Sequence, residues 1–255
     1  MKLEELVVSK KFEGSDNVIQ QVTDRARDEF PQSSKADDVV CMIPTLNECS
    51  TVTEVVRKAK LFTNQVIVVD GYSEDNTPEL AQRAGADVFF QDGKGKGMAL
   101  RTVFNKINSD IYVIIDGDAT YDILEIEDIV QPILDGEADM VVGSRLKGKM
   151  EEGSISTMNK IGNRLFNFLI NFFFNGEITD SQSGFRAVSR KAVENMNLSS
   201  NGFEIETEMT IKALKQGLKV KEVPITYARR RGTPSKLNSF KAGSRILKTI
   251  IVHLW

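Results

Sequence analysis

Residues 111–122 read Ile-Tyr-Val-Ile-Ile-Asp-Gly-Asp-Ala-Thr-Tyr-Asp, an apolar run that ends abruptly in carboxylates. The run is rich in β-branched residues, which indicates a strand buried on both faces, as in a parallel sheet covered by helices. Ligands of open α/β sheets bind beyond the carboxyl ends of the strands, where Asp116, Gly117 and Asp118 would lie. The two carboxylates could hold one hard divalent cation, Mg²⁺ or Mn²⁺, and such a cation would bridge a diphosphate. A solvated Asp-Gly turn that merely ends the strand is the alternative.

The rest of the sequence alternates between strand and helix patterns. Strands are predicted near residues 39–43, 66–69, 88–90 and 140–142, and helices near residues 51–62, 78–84, 98–108 and 126–134. Alternating units with short connections predict a Rossmann-like α/β fold, in which a mostly parallel sheet carries helices on both faces. We divide the chain into an N-terminal extension (residues 1–38), the α/β domain (39–236) and a basic, apolar C-terminal helix (237–255).

Composition argues against several classes of protein and site. The 255 residues are 41% hydrophobic and 27% charged, which is ordinary for a soluble globular protein. No run reaches the roughly 18 apolar residues of a membrane span, and residues 1–38 lack the apolar core of a signal peptide, so we expect a cytoplasmic location. His253 is the only histidine. A His-based triad or a His-ligated zinc site is therefore nearly excluded, and carboxylates and lysines would carry the chemistry.

Polar turns follow the first two predicted strands, at the same edge of the sheet as Asp116. The candidate nucleotide-binding residues in them are Pro44, Thr45, Asn47 and Glu48 after the first strand, and Asp70, Gly71, Ser73 and Asp75 after the second. Carboxylates such as Glu48 and Asp70 can accept hydrogen bonds from a base N–H or from ribose hydroxyls, which predicts a nucleotide ligand. Helix N-capping by Asn47, Ser73 or Asp75 is the structural alternative.

A third turn, residues 92–98, reads Asp-Gly-Lys-Gly-Lys-Gly-Met and precedes a predicted helix. Its glycines permit close backbone approach, while Lys94, Lys96 and the helix N-terminus near Gly97 supply positive charge. These features suit a diphosphate, although the spacing is not that of a Walker P-loop.

Eight motifs occur in a fixed order along the chain. Five lie in the predicted sheet: Pro-Thr-Leu-Asn-Glu (44–48), Val-Val-Asp-Gly-Tyr-Ser-Glu-Asp-Asn-Thr (68–77), Lys-Gly-Lys-Gly (94–97), Asp-Gly-Asp (116–118) and Gly-Ser-Arg (143–145). Three follow: Thr-Asp-Ser-Gln-Ser-Gly-Phe-Arg (179–186), Gly-Phe-Glu-Ile-Glu-Thr-Glu-Met (202–209) and Arg-Gly-Thr-Pro-Ser-Lys-Leu (231–237). In this order they resemble family 2 glycosyltransferases of the GT-A fold, and within them the polyprenyl-phosphate branch typified by dolichyl-phosphate mannosyltransferase. The resemblance implies transfer of a sugar, with inversion, from a nucleotide sugar to a polyprenyl (dolichyl) phosphate at the cytoplasmic face of a membrane.

The resemblance also implies roles for individual residues. Asp116 and Asp118 would hold the metal, catalysis would involve Asp118, Asp180 and Arg145, and the acceptor phosphate would meet Arg145, Arg231, Ser235 and Lys236. Asp180 matches the family's proposed base, but a phosphate with a second pKa near 6 is mostly dianionic at neutral pH, so we expect Asp180 to orient a substrate instead. Thr120 stands where mannosyl members commonly carry Gln, which favours UDP-N-acetylglucosamine or UDP-glucose over GDP-mannose.

Two segments predict contact with a membrane surface. Residues 161–174 are rich in Phe, and Asn163, Asn167 and Asn171 form one helical stripe that leaves a broad apolar face for a membrane interface. After Glu222 the chain has seven basic residues and no acidic one, which favours an anionic partner. A core helix or a contact in a homo-oligomer is the alternative. Nucleic acid is not expected, because no aromatic and basic stacking platform is present.

Other functions compatible with a nucleotide-binding sheet remain open. A related enzyme could use a soluble phosphorylated acceptor. A sugar nucleotidyltransferase normally has a glycine-rich basic loop after the first strand, whereas residues 44–48 are acidic and lack glycine. A non-catalytic nucleotide-sugar binding protein is disfavoured by the presence of Asp116, Asp118 and Asp180.

Overall fold

In a computed structural model, which describes residues 38–232 and 239–255, seven strands form one mixed sheet. The strands are β1 (Val39–Thr45), β2 (Gln65–Asp70), β3 (Asp87–Phe90), β4 (Ile111–Ile114), β5 (Met140–Met150), β6 (Arg186–Ser189) and β7 (Val220–Tyr227). Their order across the sheet is β3-β2-β1-β4-β6-β5-β7. Strand β6 runs antiparallel to β4 and β5, and the other neighbours are parallel. The predicted mostly parallel α/β class is confirmed.

Helices cover both faces of this sheet. They are α1 (Val52–Ala59), α2 (Thr77–Ala84), α3 (Lys96–Lys106), α4 (Ile126–Leu134), α5 (Thr157–Phe174), α6 (Arg190–Met196), α7 (Ile205–Lys215) and α8 (Ser239–Val252). One core lies under α1, α2 and α4, and a second lies under α3, α6 and α7. Alternate residues of β1 enter the two cores, Cys41 on one face and Met42 on the other. This two-residue alternation explains why the buried strands read as continuous apolar runs.

A third, smaller core joins α5, α7 and α8 beside the sheet. It is built from Ile170, Ile211, Ile246 and Ile250. Helix α5 begins where the hydroxyl of Ser156 accepts a hydrogen bond from the backbone N–H three residues later, and it ends at a left-handed asparagine. Among residues 38–232 and 239–255, no helix combines the length and apolar character that a membrane crossing requires.

The strand directions bring distant turns to one edge of the sheet. Parallel pairing aligns Thr45 of β1 with Asp70 of β2, and β4 pairs with β1 on its other side. Because β6 is antiparallel, its first residue, Arg186, lies opposite the last residue of β4, Ile114. The turn that precedes β6 therefore reaches the edge at which β1, β2 and β4 end. Residues 1–37 of the predicted N-terminal extension lie outside the described residues, and so do the predicted acceptor-binding residues Ser235 and Lys236.

Candidate active site

The two carboxylates of the predicted metal site lie in the turn that follows β4. A Cβ on Gly117 would lie 2.9 Å from the side chain of Thr45, so glycine lets this turn pack closely against β1. Ala119 adopts a left-handed conformation with a φ of 55°, a strained state that often accompanies functional sites. Thr120 donates its backbone N–H and its hydroxyl to Oδ1 of Asp118, at 3.2 and 2.7 Å. The turn therefore holds Asp118 in one orientation.

A buried lysine lies against Asp116. The ammonium of Lys96 lies 2.5 Å from Oδ1 of Asp116 and 2.7 Å from Oε1 of Glu206. Burial by itself lowers the pKa of Lys96, but the charges of the two carboxylates outweigh it and raise the pKa above its ordinary value. Lys96 is therefore a permanent cation. Glu208, two residues beyond Glu206 on the same helix, turns away and binds the loop at residues 199–200, as helical spacing predicts.

Arg230 takes the corresponding place beside Asp118. Its guanidinium lies 2.5 Å from Oδ2 of Asp118 and also pairs with Glu48. Burial and the neighbouring charge of Asp116 raise the pKa of Asp118, so a cation beside this carboxylate is favoured. The sequence did not single out Arg230, because it is the middle member of three consecutive arginines and no periodic pattern shows which one faces inward.

These contacts bear on whether the site suits a metal ion. Oδ1 of Asp116 pairs with Lys96, and the oxygens of Asp118 accept from Thr120 and Arg230. A metal ion at Asp118 would therefore take the place of the Arg230 guanidinium, which shows that this carboxylate accommodates positive charge. Carboxylate oxygens are also ligands that Mg²⁺ and Mn²⁺ prefer. Within the described parts of the chain, no group of three or more His, Cys, Asp or Glu side chains could enclose a metal. The residues present therefore fit a divalent cation that takes its other ligands from a diphosphate or from water.

The turns after β1 and β2 are bonded to each other through Asp70. This residue is fully buried, and it accepts hydrogen bonds from the hydroxyl of Thr45 at 2.9 Å and from the N–H and hydroxyl of Ser73, both at 2.7 Å. The predicted direct contact between Asp70 and a nucleotide base does not fit this burial, because both oxygens are already engaged inside the protein. Asp70 instead joins the two turns.

Further hydrogen bonds complete the junction of these turns. The N–H of Asn47 donates to Ser73 at 2.7 Å, and its side-chain oxygen accepts from the N–H of Glu74 at 2.8 Å. Asp75 accepts from the N–H of Cys49 at 3.2 Å and from the first residue of α2 at 3.0 Å, so only Asp75 has part of the alternative capping role. Nucleotide binding at this edge by Pro44, Thr45, Asn47, Glu48, Gly71, Ser73 and Asp75 stays a prediction.

The glycines of the Lys-Gly-Lys-Gly motif serve an internal contact. A Cβ on Gly95 or Gly97 would overlap the backbone of Asn201 or Ser200. Gly95 and Gly97 therefore permit close packing of the chain's own loop at residues 200–201, and contact between Gly97 and a diphosphate stays a prediction. Lys96 faces the site, whereas Lys94 is exposed.

Asp180 and Arg145 form one buried unit. Nε and Nη2 of Arg145 donate to the two oxygens of Asp180, each at 2.7 Å, and Asn163 donates to Oδ1 at 2.9 Å. Burial alone raises the pKa of Asp180, but the Arg145 charge and these hydrogen bonds outweigh it and hold the pKa below its ordinary value. A carboxylate held in this way is a poor proton acceptor, so its geometry suits orientation rather than base catalysis. Two of the N–H groups of Arg145 already donate to Asp180, so fewer of its N–H groups remain to bind a phosphate.

Gly184, four residues after Asp180, packs against the carboxylate turn. A Cβ on Gly184 would lie 2.7 Å from both Oδ2 of Asp116 and Nζ of Lys96. The N–H of Gly184 donates to the hydroxyl of Tyr121 at 2.8 Å, and the ring of Tyr121 packs against Tyr227. Neither Gly184 nor Tyr121 was predicted as a site residue, because their part depends on an antiparallel β6 that the sequence did not reveal.

Arg231 has a different environment from the one predicted. Its guanidinium pairs with Glu54 of α1 at 2.9 Å, and its side chain is 57% exposed. The structure thus places Arg230 beside the carboxylates and Arg231 on the surface, which favours Arg230 over Arg231 as a residue for the acceptor phosphate.

Comparison with known proteins identifies the family of this chain. The family model described as glycosyl transferase family 2 matches residues 40–196. A relative from Haloferax volcanii, glycosyltransferase AglJ, is 38% identical over 82% of this chain and 70% of its own. A UDP-N-acetylglucosamine–dolichyl-phosphate N-acetylglucosaminyltransferase from Methanococcus voltae is 30% identical over 82% of this chain and 94% of its own.

The fold is similar to that of a solved glycosyltransferase. Glucosyl-3-phosphoglycerate synthase from Mycobacterium tuberculosis, in complex with Mn²⁺, UDP-glucose and phosphoglyceric acid, has a TM-score of 0.69 over 86% of this chain and 80% of its own. At 23% identity the likeness concerns the fold, and it agrees with the GT-A fold implied by the motifs. With the family model covering more than half of its residues, the chain belongs to glycosyl transferase family 2.

Proposed function

We propose that this protein transfers a sugar, with inversion, from a UDP-sugar to a polyprenyl phosphate at a membrane surface. The observation that carries the proposal is the pair Asp116 and Asp118, each of which lies against a buried or half-buried cation. The same turn is connected to Arg145 by ring contacts, since Tyr121 packs against Tyr227 and Arg145 lies over the Tyr227 ring. Such a site can stabilise negative charge on a leaving diphosphate and on an attacking phosphate.

The donor side would work by charge stabilisation. A divalent cation held by Asp116 and Asp118 would neutralise charge that develops on the leaving diphosphate. Lys96 stays protonated because Asp116 and Glu206 flank it, so it adds a fixed positive charge next to the same group.

The acceptor side would work by positioning. A phosphate monoester is mostly dianionic at neutral pH, so no residue has to remove a proton from it. The low pKa of Asp180 and its bonds to Arg145 and Asn163 are consistent with that chemistry. We assign the acceptor phosphate to Arg145 and Arg230, together with the predicted Ser235 and Lys236.

The surface next to this site supports a lipid acceptor. Helix α5 exposes a stripe of large apolar side chains spaced three and four residues apart: Met158, Ile161, Leu165, Phe168 and Phe172. Helices α5 and α8 contain five basic residues and no acidic one: Lys160, Arg164, Lys241, Arg245 and Lys248. Apolar side chains combined with positive charge match an anionic membrane surface. The dolichyl-phosphate enzyme among the relatives supports the same class of acceptor.

The donor is proposed to be UDP-N-acetylglucosamine or UDP-glucose. The relative from Methanococcus voltae uses the first of these by its name. Thr120, which replaces the Gln of mannosyl enzymes, uses its hydroxyl to hold Asp118, so it does not offer the longer amide side chain at this position.

The experiment is a transfer assay with radiolabelled UDP-N-acetylglucosamine, UDP-glucose or GDP-mannose. The acceptor is polyprenyl phosphate in phosphatidylglycerol vesicles, with Mg²⁺ or Mn²⁺ present. We expect label in the organic phase with a UDP-sugar and its loss in Asp118→Asn. Label that stays in the aqueous phase on an added phosphorylated small molecule would favour the soluble-acceptor alternative. Pyrophosphate release from UTP and a sugar phosphate would favour a nucleotidyltransferase.

A further inference from the structure

We propose that three asparagines of α5 are positioning residues that fix the acceptor side of the site at a set depth from the lipid surface. This inference rests on the proposed function. Asn163, Asn167 and Asn171, here called the asparagine ladder, lie four residues apart on one face of α5, which is about 6 Å per step along the helix. The segment that they hold is residues 178–181, which contains Asp180.

Each rung of the asparagine ladder meets a different part of the segment. Asn171 accepts from the N–H of Ile178 and donates to its carbonyl, both at 2.9 Å. Asn167 donates to the carbonyl of Thr179 and accepts from the N–H of Ser181 at 2.9 Å. A side-chain amide offers one donor side and one acceptor side, as a peptide group does. The two asparagines thus serve the segment as a neighbouring strand would.

The third rung bonds to the functional side chain itself. Asn163 donates to Oδ1 of Asp180, the same oxygen that accepts from Nη2 of Arg145. Asn163 is 6% exposed, so its amide has no competing hydrogen bonds from bulk water. A buried amide that bonds a carboxylate restricts the rotation of that carboxylate, and here the carboxylate in turn orients Arg145. Asn163 would therefore affect the acceptor phosphate only indirectly, through Asp180 and Arg145.

The opposite face of α5 is the exposed apolar stripe described above. Phe168, one residue beyond Asn167, is 62% exposed. A helix with its side chains is about 10–12 Å across, and an interfacial helix buries its apolar face about 5–10 Å into the membrane boundary. One helix therefore separates the Arg145–Asp180 unit from lipid. That spacing places Arg145 near the level of lipid headgroups, where the phosphate of a membrane-embedded acceptor lies.

The kinetic test compares the two faces of α5. Asn163→Ala is expected to raise the KM for polyprenyl phosphate about tenfold, both in vesicles and with a short water-soluble prenyl phosphate, and to leave the Kd for the UDP-sugar within twofold. Phe168→Ser is expected to raise only the vesicle KM. Asn175→Gly, at the exposed left-handed end of the same helix, is the control and should change neither value. Equal losses of donor and acceptor affinity in a folded Asn163→Ala would overturn the proposal.

A conservative variant adds a pH profile that a merely structural role would not show. In Asn163→Asp the introduced carboxyl faces Asp180 and must keep a proton to donate the hydrogen bond, so its pKa is raised. The ratio of the variant's acceptor KM to that of the parent at the same pH should be near one at low pH and should rise as the pH increases; taking the ratio removes the titration of the acceptor phosphate itself, whose second pKa is about 6. A pH-independent ratio would contradict the proposed contact.

A measurement on the parent chain covers the case in which ladder variants do not fold. Hydrogen exchange of the amides of Ile178 and Ser181 is expected to be slow and to slow further with phosphatidylglycerol vesicles that contain polyprenyl phosphate. Unchanged exchange in the presence of bound vesicles would overturn the link between lipid and the segment. Dimerisation through the apolar stripe, seen by sedimentation without vesicle binding, would overturn it as well. If no donor or acceptor supports transfer, the proposed function fails, and the exchange result still decides whether the lipid face reaches this segment.

Discussion

Arg230 and Arg231 are neighbours in the chain, but the structure gives them separate partners. Arg230 pairs with Asp118 and Glu48 inside the site, and Arg231 pairs with Glu54 on the surface. We expect Arg230→Gln to raise the KM for polyprenyl phosphate at least tenfold, since a charge-assisted hydrogen bond contributes about 1.5–3 kcal/mol. The matched variant Arg231→Gln should lose only a surface ion pair of about 0.2–1 kcal/mol and keep its KM values. Steady-state kinetics decide, and equal effects in the two variants would contradict the assignment.

Asp116 and Asp118 are predicted to make binding of the UDP-sugar dependent on a metal ion. Because burial and the charge of Asp116 raise the pKa of Asp118 and so favour a cation beside it, we expect the UDP-sugar to bind at least tenfold more weakly in EDTA or in Asp118→Ala. Titration calorimetry with and without Mn²⁺ is the measurement. Glu194→Gln, an exposed surface variant, is the control. Affinity that is undiminished in EDTA would mean that the side chains alone bind the diphosphate.

Residue types were easier to predict than residue partners. The Asp-Gly-Asp turn was predicted because an apolar strand that ends in carboxylates can be recognised from the sequence alone. Arg230, Gly184 and Tyr121 were missed because their roles come from contacts across 63 to 112 positions of the chain. Asp70 was found at the expected edge, but its burial depends on how closely two turns pack, and no sequence pattern reports that.

Helix α7 offers a prediction at the scale of an element. Its Glu208 accepts hydrogen bonds from the N–H groups of Ser199 and Ser200 and pairs with Lys212 at 2.7 Å. Burial alone raises the pKa of Glu208, but the hydrogen bonds lower it from 4.5 to about 2. The contact therefore stabilises the fold fully above about pH 4.5, and this stabilisation is lost as the pH falls towards 2.

We expect Glu208→Gln to lower the free energy of unfolding relative to the parent at about pH 6, and the difference to shrink towards about pH 3. Urea denaturation at the two pH values is the measurement. Glu194→Gln, on the exposed side of α6, should show no pH-dependent difference. A difference that grows as the pH falls would have the wrong sign for a carboxylate with a lowered pKa.

The elements of the first half were predicted well; in the second half the helices that correspond to α5 and α8 were predicted, but the strands β6 and β7 were not. From β1 to α4 the apolar runs are continuous and the connections are short, so each predicted element lies within a few residues of its place. Strand β6 was missed because it has only four residues, and β7 was missed because it contains two adjacent charged residues and a proline. Strand β5 runs to Met150 rather than ending near residue 142, since its second half pairs with β7.

The whole molecule is predicted to bind anionic vesicles in two parts. The basic residues of α5 and α8 give an attraction that salt screens within about 8 Å at physiological ionic strength. The exposed stripe gives an apolar part that salt does not remove. We expect Phe168→Ser with Phe172→Ser to abolish the binding that persists in high salt, as measured by vesicle sedimentation. Leu134→Ser, a partly exposed apolar residue on α4, is the control.

The structure refines which side chains carry this apolar part. Phe172 is 70% exposed, whereas Phe174 packs against the third core, so Phe174 is unsuited to such a variant. If the double variant pelleted in high salt as well as its parent, the stripe would be a contact between protein copies rather than with lipid.

The central claim is that a UDP-sugar and a membrane-embedded polyprenyl phosphate meet at Asp118 and Arg145. Mass spectrometry of the extracted lipid, after incubation of the full chain with UDP-N-acetylglucosamine or UDP-glucose, Mn²⁺ and polyprenyl phosphate, tests it most directly. The account predicts polyprenyl phosphate heavier by one sugar residue, equimolar release of UDP, and no product in Asp118→Asn. Unmodified lipid accompanied by a glycosylated soluble phosphate, or product formation that persists in Asp118→Asn, would contradict it.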